Sequence, residues 1–244
     1  MAHIPRLYFP GTLTSGPLAL DAEVAKRLVG VMRVGLGEEF LLFSGDGREW
    51  RARVTSVGRP GMTATVEDIA RQASPPPVVL ETWISVIRAN RFETALEKCV
   101  EAGADIIRLI VGEYSQRGDE ASANRVERWQ RIVVEAAEQS GRLFLPVIEP
   151  PERLPRLLDS YRGALVVADG GGRSALDIAP LLPQTGRLAL AVGPEGGFSP
   201  EEAALLKRHG ALSVTLGPYI LRTETAAIAG TAALRALTMP AADG

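Results

Sequence analysis

The spacing of apolar and polar positions changes once along the chain. Up to about residue 73 the apolar residues alternate over short stretches. Phe40-Leu41-Leu42-Phe43 runs into the turn string Ser44-Gly45-Asp46-Gly47, and Trp50-Arg51-Ala52-Arg53-Val54 and Thr63-Ala64-Thr65-Val66 then follow the two-residue period of half-buried strands. Short strands at close spacing predict a small β-barrel. One helix interrupts it, with Asp21 as cap and Val24, Leu28, Val31 and Met32 on one face. Ser74-Pro75-Pro76-Pro77 then forms an extended, semi-rigid spacer, because consecutive prolines cannot continue a helix or strand interior. This places a domain seam between residues 1–73 and 78–244.

Beyond the prolines, strand and helix patterns alternate. Residues 78–87 read as a strand, Phe92, Ala95, Leu96, Cys99 and Val100 as a helical stripe stopped by Gly103, and 106–111 as a second strand. A longer helix spans about 125–140, with Val126, Trp129, Val133, Ala136 and Ala137 inward and Gly141 as its stop. Further strands fall at 164–168, 188–192 and 212–216. Near-continuous apolar strands separated by helices predict an α/β domain with a mainly parallel sheet covered on both faces. Cys99 lies on a core stripe and reads as packing rather than as a nucleophile.

Composition narrows the chemistry. At 244 residues, with 46% hydrophobic and 23% charged content, the chain can bury one large core or two modest ones. No apolar run approaches the roughly 20 residues that span a bilayer, and the opening Met1-Ala2-His3-Ile4-Pro5-Arg6 lacks a secretory pattern, so the expected location is the cytoplasm, with no membrane partner. A single cysteine excludes an internal disulfide and a cysteine-rich zinc site, and His3 and His209 offer little for a metal; none is expected. Catalysis has to run on Arg, Glu, Asp, Thr and backbone groups. The net charge of -2 argues against a protein that coats nucleic acid non-specifically, though not against a local basic face. Of the 27 basic residues, 24 are Arg, a residue suited to phosphate contacts and stacking, although a genomic composition bias accounts for the same excess.

Ligands of parallel sheets bind outside the carboxyl ends of the strands. Three glycine-bearing loops follow such ends: Asp169-Gly170-Gly171-Gly172-Arg173, Gly193-Pro194-Glu195-Gly196-Gly197, and Gly217-Pro218-Tyr219-Ile220-Leu221-Arg222-Thr223-Glu224-Thr225. Any one alone is a plain strand-to-helix turn; three in succession favour a site. Neither phosphate-cradling spelling, Gly-x-x-x-x-Gly-Lys-Ser/Thr or Gly-x-Gly-x-x-Gly, fits the middle loop, and Glu195 sets a negative charge where a phosphate would lie. Ser199, Pro200 and Glu202 read as the start of a helix ended by Gly210, with His209 as a favourable partner for the helix dipole.

Val192-Gly193-Pro194-Glu195-Gly196-Gly197-Phe198-Ser199, followed by Leu216-Gly217-Pro218-Tyr219-Ile220-Leu221-Arg222-Thr223-Glu224-Thr225-Ala226, resembles the paired signature of the bacterial 16S ribosomal RNA uridine-N3 methyltransferases, of the SPOUT superfamily. Pro5-Arg6-Leu7-Tyr8-Phe9, Val31-Met32-Arg33-Val34-Gly35-Leu36-Gly37 and Glu135-Ala136-Ala137-Glu138-Gln139-Ser140-Gly141-Arg142 are similar to further family segments, so the resemblance covers essentially the whole chain. It implies an N-terminal PUA-like RNA-binding β-barrel over 1–73 and a SPOUT methyltransferase domain with a trefoil knot over 78–244. It also implies a homodimer, S-adenosyl-L-methionine as cofactor and 16S ribosomal RNA of the small subunit as substrate. Under that resemblance Ala168, Asp169, Gly193, Gly197, Leu216, Gly217 and Leu221 line the cofactor pocket. Arg222 stabilises the uracil anion or orients the base, Glu224 accepts the N3 proton or fixes Arg222, and Thr223 caps the helix or donates a hydrogen bond. The plain alternative is an Arg-Glu pair that ties the loop down. Arg6, Arg33, Arg51, Arg53, Arg117 and Arg142 are the candidate RNA contacts. The small residues of 226–234 either pack internally or form the dimer interface.

The chain departs from the family pattern at Leu143-Phe144-Leu145, at Arg91, where lysine is usual, and at Pro218-Tyr219, where Pro-Arg is common. Each departure removes or alters a basic group near the expected RNA. Two other readings stay open on sequence alone: a nucleotide-dependent α/β enzyme such as a dehydrogenase, and a non-catalytic RNA-binding assembly factor.

Overall fold

The structure is a computed structural model. It describes residues 4–58, 61–115 and 123–239. The chain divides into two compact units, Met1–Pro75 with Ala137–Leu145, and Pro76–Ala136 with Pro146–Gly244.

The first unit is built on strands β1 (Arg6–Tyr8), β2 (Gly16–Leu20), β3 (Glu39–Phe43), β4 (Arg48–Val57) and β5 (Met62–Gln72), laterally ordered β1-β3-β4-β5-β2. All pairs are antiparallel except β1 on β3. Alternation does what the sequence implies: Phe40, Leu42, Trp50, Ala52, Val54, Met62, Ala64 and Val66 face one core with Leu7 and Leu28. The helix at 21–32 differs from expectation. Asp21 caps α1 (Ala22–Lys26), but Arg27–Val31 continues as a π-turn. The wider turn shifts the phase of the apolar stripe, so Leu28 is buried while Val31 is 77% exposed. Arg33 closes the segment at φ +59, a left-handed conformation uncommon outside glycine.

Residues 137–145, which the proline seam assigns to the second domain, cluster with the first unit. The cause is Arg6. Its guanidinium pairs with Glu49, donates to the carbonyls of Ala137 (2.7 Å), Glu138 (3.2 Å) and Arg142, and lies 3.7 Å from the centroid of the Phe43 ring. Glu138 accepts from Tyr8 N (2.9 Å) and Arg27 Nη2 (2.7 Å), and Gly47 N donates to the Leu143 carbonyl (3.1 Å). Apolar periodicity carries no trace of such polar ties.

The second unit holds β6 (Val78–Ser85), α2 (Ala89–Glu101), β7 (Ile106–Val111), most of α3 (Ala123–Ser140), β8 (Val147–Arg153), α4 (Leu154–Ser160), β9 (Ala164–Ser174), α5 (Ala175–Ile178), β10 (Gly186–Val192), α6 (Pro200–Arg208), β11 (Leu212–Thr215) and α7 (Thr223–Thr238). Its sheet, in the order β11-β9-β10-β6-β7-β8, is parallel at every pairing. The edge strand β8 escapes the sequence because Pro150 and Pro151 suppress a strand signal, and prolines are tolerated at a sheet edge. Inside the sheet, the fully buried Glu81 accepts from Trp83 Nε1 (3.0 Å), Arg108 Nε (2.9 Å) and Arg187 Nε (2.8 Å). Two cations and an indole thus satisfy a carboxylate that burial alone would penalise. Cys99 is buried and burial pushes its thiol up to about 12, which removes it as a nucleophile at neutral pH. No helix among the described residues is long and apolar enough to cross a membrane.

Two predictions concern the Arg6–Glu49 pair. Arg6→Ala leaves Glu49 buried beside the half-exposed Arg71 alone, and the expected loss is about 3–5 kcal/mol, read as a lower urea midpoint; an unchanged midpoint refutes the assignment. Burial acts to raise the Glu49 carboxyl, but the hydrogen bonds from Arg71 and Arg6 outweigh it and hold the group below its ordinary value of 4.5. A depressed folded-state value means the contribution is complete above the unfolded one and lost as pH falls through the folded one. Unfolding of the first unit is therefore expected to become easier on acidification below about pH 4.5, and less so in Glu49→Gln.

Candidate active site

A cavity of about 680 Å³ opens at the carboxyl ends of β9, β10 and β11. Three segments build it. Between Val167 and Arg173, strand β9 shifts register against β11, and residues 168–170 of this irregular stretch line the cavity where a simple loop had been expected. After β10 the chain turns through Gly193, Pro194, Glu195 and Gly197, and Gly197 N closes the turn on the Pro194 carbonyl (2.8 Å). Gly197 adopts φ +74, which favours glycine. A Cβ on Gly193 would meet Gly197 C and Phe198 N at 3.2 Å, so backbone packs directly on backbone there. After β11, Leu216, Tyr219, Ile220 and Leu221 complete the wall, and Thr223 and Ala226 of α7 form its floor.

Of the seven residues expected to hold the cofactor, Ala168, Asp169, Gly193, Gly197, Leu216 and Leu221 line this cavity. Gly217 falls beside them in sequence but outside the lining, turning the chain at φ +146. The wall also includes Phe198, Lys207 and Ile220, which the motif reading missed. Lys207 belongs to the basic last turn of α6, whose helix reading explained it without reference to a ligand.

The helix that follows the middle loop is anchored twice. Ser199 and Glu202 form a capping box, and the second Glu202 oxygen accepts from Glu113 N (2.9 Å) in the loop after β7. Tyr114 in that loop is 3.8 Å from where a Cβ of Gly196 would sit.

The three expected catalytic residues separate by environment. Arg222 is the N-cap residue of α7, exposed, and without a side-chain partner among the described residues. Thr223 is buried and serves as a donor: its hydroxyl gives a hydrogen bond to the Gly193 carbonyl (3.0 Å), tying the last helix to the middle loop. Glu224 is 14% exposed and contacts Arg91, not Arg222: Arg91 Nε lies 3.8 Å from Glu224 Oε1. The expectation that Glu224 fixes Arg222, or pairs with it to tie the loop down, is therefore corrected. Glu224 Oε2 is buried and has no hydrogen-bond partner. Arg91 also pairs directly with Glu195 of the cavity wall. Sequence reasoning noted Arg91 only as a departure from a lysine; its place after the central strand β6, at the ligand-binding end of the sheet, was the signal available.

In the first unit the candidate RNA contacts differ in the same way. Arg6 is corrected: 8% exposed, it commits four of its five N–H groups to Glu49 and three carbonyls, and burial rather than RNA explains its place. Arg51 pairs with Asp68 (2.6 Å), and Arg53 with Glu67 (2.9 Å) and Glu39 (3.4 Å). Arg142 Nε donates to the Phe144 carbonyl (3.3 Å). Arg33 is exposed, with no side-chain partner among the described residues, and Arg117 lies outside the described residues. No group of three or more His, Cys, Asp or Glu side chains among the described residues is placed to hold a metal ion.

A family model described as an RNA methyltransferase domain matches residues 74–235, and one described as an RNA methyltransferase PUA domain matches residues 20–67. Fold and cavity thus define a protein of the RNA methyltransferase class. The chain is 34% identical over 254 residues to a ribosomal RNA small subunit methyltransferase E of Mycobacterium bovis, covering 96% of this chain and 93% of the relative. It is 30% identical to that of Synechocystis, covering 93% and 76%. The crystal structure of the Neisseria gonorrhoeae ribosomal RNA small subunit methyltransferase E bound to S-adenosylmethionine superposes with a TM-score of 0.83 at 33% identity, over 96% of this chain and 98% of that one. A Legionella pneumophila methyltransferase in complex with the same cofactor gives 0.86 at 28%, with the same coverage. The chain belongs to the ribosomal RNA small subunit methyltransferase E family.

One stability prediction follows from the floor of the cavity. A Cβ on Gly230 would lie 2.5 Å from Leu190 Cδ2 and 3.3 Å from Leu216 Cδ1. Leu190 is fully buried and has nowhere to move. Helix propensity favours Ala over Gly by at most about 1 kcal/mol, against an overpacking penalty of about 1–3 kcal/mol. Gly230→Ala is therefore expected to lower the melting temperature, and a rise would show that the Leu190 side chain turns aside at little cost.

Proposed function

We propose that this protein transfers a methyl group from S-adenosyl-L-methionine to N3 of a specific uridine in 16S ribosomal RNA of the small subunit. The observation that carries the reading is the chemistry of the cavity wall. Val167, Val192, Leu216, Leu221 and Ala226 offer an apolar slot, while Asp169 and Glu195 place carboxylates on a loop system whose glycines admit close backbone approach. That lining, which also holds Lys207, fits a flat base with a phosphate-free tail that carries cationic groups and a carboxylate, and its two carboxylates against one cation disfavour the diphosphate of a nicotinamide nucleotide. Ala168, Asp169, Gly193, Gly197, Leu216 and Leu221 would hold the cofactor, with Gly217 shaping the third loop. When bound, S-adenosylmethionine supplies an electrophilic methyl group.

The chain's own part is to present uracil N3 to that group. The imide N–H is weakly acidic, so removing its proton and stabilising the resulting anion both lower the barrier. Glu224 offers a buried carboxylate oxygen with no other partner, suited to accept the proton. Arg222, uncommitted at the head of the same helix, stabilises the charge spread over the two carbonyl oxygens. Thr223, which lines the cavity, holds the helix start against the Gly193 carbonyl and so keeps its neighbours Arg222 and Glu224, themselves outside the lining, beside the cavity. N3 lies on the Watson–Crick edge, so the target nucleotide has to be unpaired or extruded. Arg33, Arg117 and Arg142 contact the RNA in this reading, and Arg51 and Arg53 do so by exchanging carboxylate partners for phosphate. The protein acts in the cytoplasm as a homodimer, for which the exposed Tyr219 and Ile220 supply apolar surface. The knot belongs to the same proposal, supported by α7 lying against β6 and β10 while its first residue bonds the loop after β10.

The decisive measurement is the position of the modified base in small-subunit RNA from cells with and without this protein; an unchanged uridine methylation pattern overturns the reading. In purified protein, Glu224→Gln and Arg222→Ala are each expected to lower kcat by about 100-fold with little change in cofactor affinity. Full turnover of either variant at saturating substrate removes that residue from the mechanism.

A further inference from the structure

One cation in the second unit faces two carboxylates. Arg91 pairs directly with Glu195, while its Nε stands 3.8 Å from Glu224 Oε1, beyond hydrogen-bond reach. The three side chains come from different elements: Arg91 from the first turn of α2, Glu195 from the loop after β10, Glu224 from the first turn of α7. Glu195 is 57% exposed and also lines the cavity, whereas Arg91 is 28% exposed and does not. The carboxylate of Glu195 therefore has two possible partners, the guanidinium outside the cavity and a cation within it.

We infer that the Arg91–Glu195 pair is a latch that couples filling of the cavity to binding of an RNA phosphate by Arg91. The inference rests on the cofactor and substrate proposed above. Glu195 occupies Arg91 much as a phosphate oxygen would. A cationic occupant attracts the Glu195 carboxylate toward the cavity and weakens its hold on Arg91. The guanidinium then turns its planar donors to the phosphate of the RNA backbone, a partner that accepts two parallel N–H bonds. Arg88, exposed and without a side-chain partner among the described residues, lies one turn away and adds positive charge at the same place. Coupling of this kind is reciprocal: RNA that engages Arg91 frees Glu195 for the cofactor to the same degree that the cofactor frees Arg91 for RNA. The consequence is cooperative loading, in which RNA and methyl donor are each gripped more firmly by protein that already carries the other.

The test measures the dissociation constant of a small-subunit RNA fragment by fluorescence anisotropy, with and without sinefungin, an unreactive analogue with an amine in place of the methylsulfonium. Sinefungin is expected to tighten RNA binding to the wild-type protein by about five- to tenfold. Glu195→Gln is expected to bind RNA that tightly without sinefungin and to gain little more when it is added. Arg91→Ala is expected to lose the sinefungin effect and to reduce the slope of log affinity against log salt by about 0.7–0.9, the loss of one phosphate contact. Arg91→Lys, which keeps the charge, is expected to retain that slope. RNA affinity in the wild type that ignores sinefungin although both ligands bind overturns the latch and leaves the proposed function standing. So does an Arg91→Ala variant with an unaltered salt slope. Wild-type protein that binds neither sinefungin nor RNA overturns the proposed function and the latch with it.

Discussion

The close seating of the last helix on the centre of the parallel sheet is the constraint on which the site depends. Helix α7 carries Ala227, Gly230 and Thr231 toward β6 and β10, where a larger side chain at 230 would strike Leu190 and Leu216. Thr231 and Thr82 share a buried hydrogen bond of 2.8 Å, and Thr231 also reaches Cys99 on α2. Farther along, Arg235 donates to the carbonyls of Gly103 and Val78 and pairs with Asp105, fixing the far end of the helix. A helix held at both depth and rotation brings its first turn to a defined place. Thr223 then meets the Gly193 carbonyl, and Glu224 meets Arg91, because the rest of the helix permits no other arrangement.

Arginine is used throughout as an internal fastener. Glu49 in one unit and Glu81 in the other are buried carboxylates, each served by two guanidinium groups. A planar fork with fixed donors suits such positions better than a lysine ammonium, which is more strongly hydrated and offers no bidentate geometry. The excess of Arg over Lys therefore says less about RNA than it first suggests. Arg6, Arg71, Arg108, Arg187 and Arg235 are all committed within the fold. Arg33, Arg88 and Arg222 are among those whose side chains have no partner among the described residues, and that is the better criterion for a group kept available to a ligand.

The elements that bury an apolar face were legible in the sequence, and those held by polar ties were not. Periodicity located β3, β4 and β5 of the first unit, the stripe of α2 and the strands β6, β7, β9, β10 and β11, since burial selects those residues directly, but it marked none of the short elements β1, β2 and α4. It missed β8, where prolines at a sheet edge hide the strand, and it misread the phase of Val31, because a π-turn adds a residue that no hydrophobic pattern announces. The transfer of residues 137–145 to the first unit was invisible for a related reason: the bonds from Arg6 end on carbonyl groups, which every residue has. At the site, glycine spacing pointed to the cavity wall because close backbone approach requires glycine. It could not reveal that Glu224 turns to Arg91, a pairing across 133 positions of sequence that only the folded sheet brings about.

The acidic character of the site is what ties these observations to a function. Glycine-rich loops at the ends of parallel strands usually present N–H groups to phosphates, and a carboxylate among them opposes that use. Here Asp169 and Glu195 both line the cavity against a single cation, Lys207, so its charge balance favours a ligand with a positive group over a diphosphate. The substrate is a polyanion, and the same carboxylates would repel it if they were left unpaired. Glu195 is paired with Arg91, and Glu224 lies beside it, so one cation serves both acidic groups. In the proposed function a pocket for a cationic donor adjoins a surface for an anionic polymer, and Arg91, outside the cavity lining and beside two carboxylates, is the cation available to separate them.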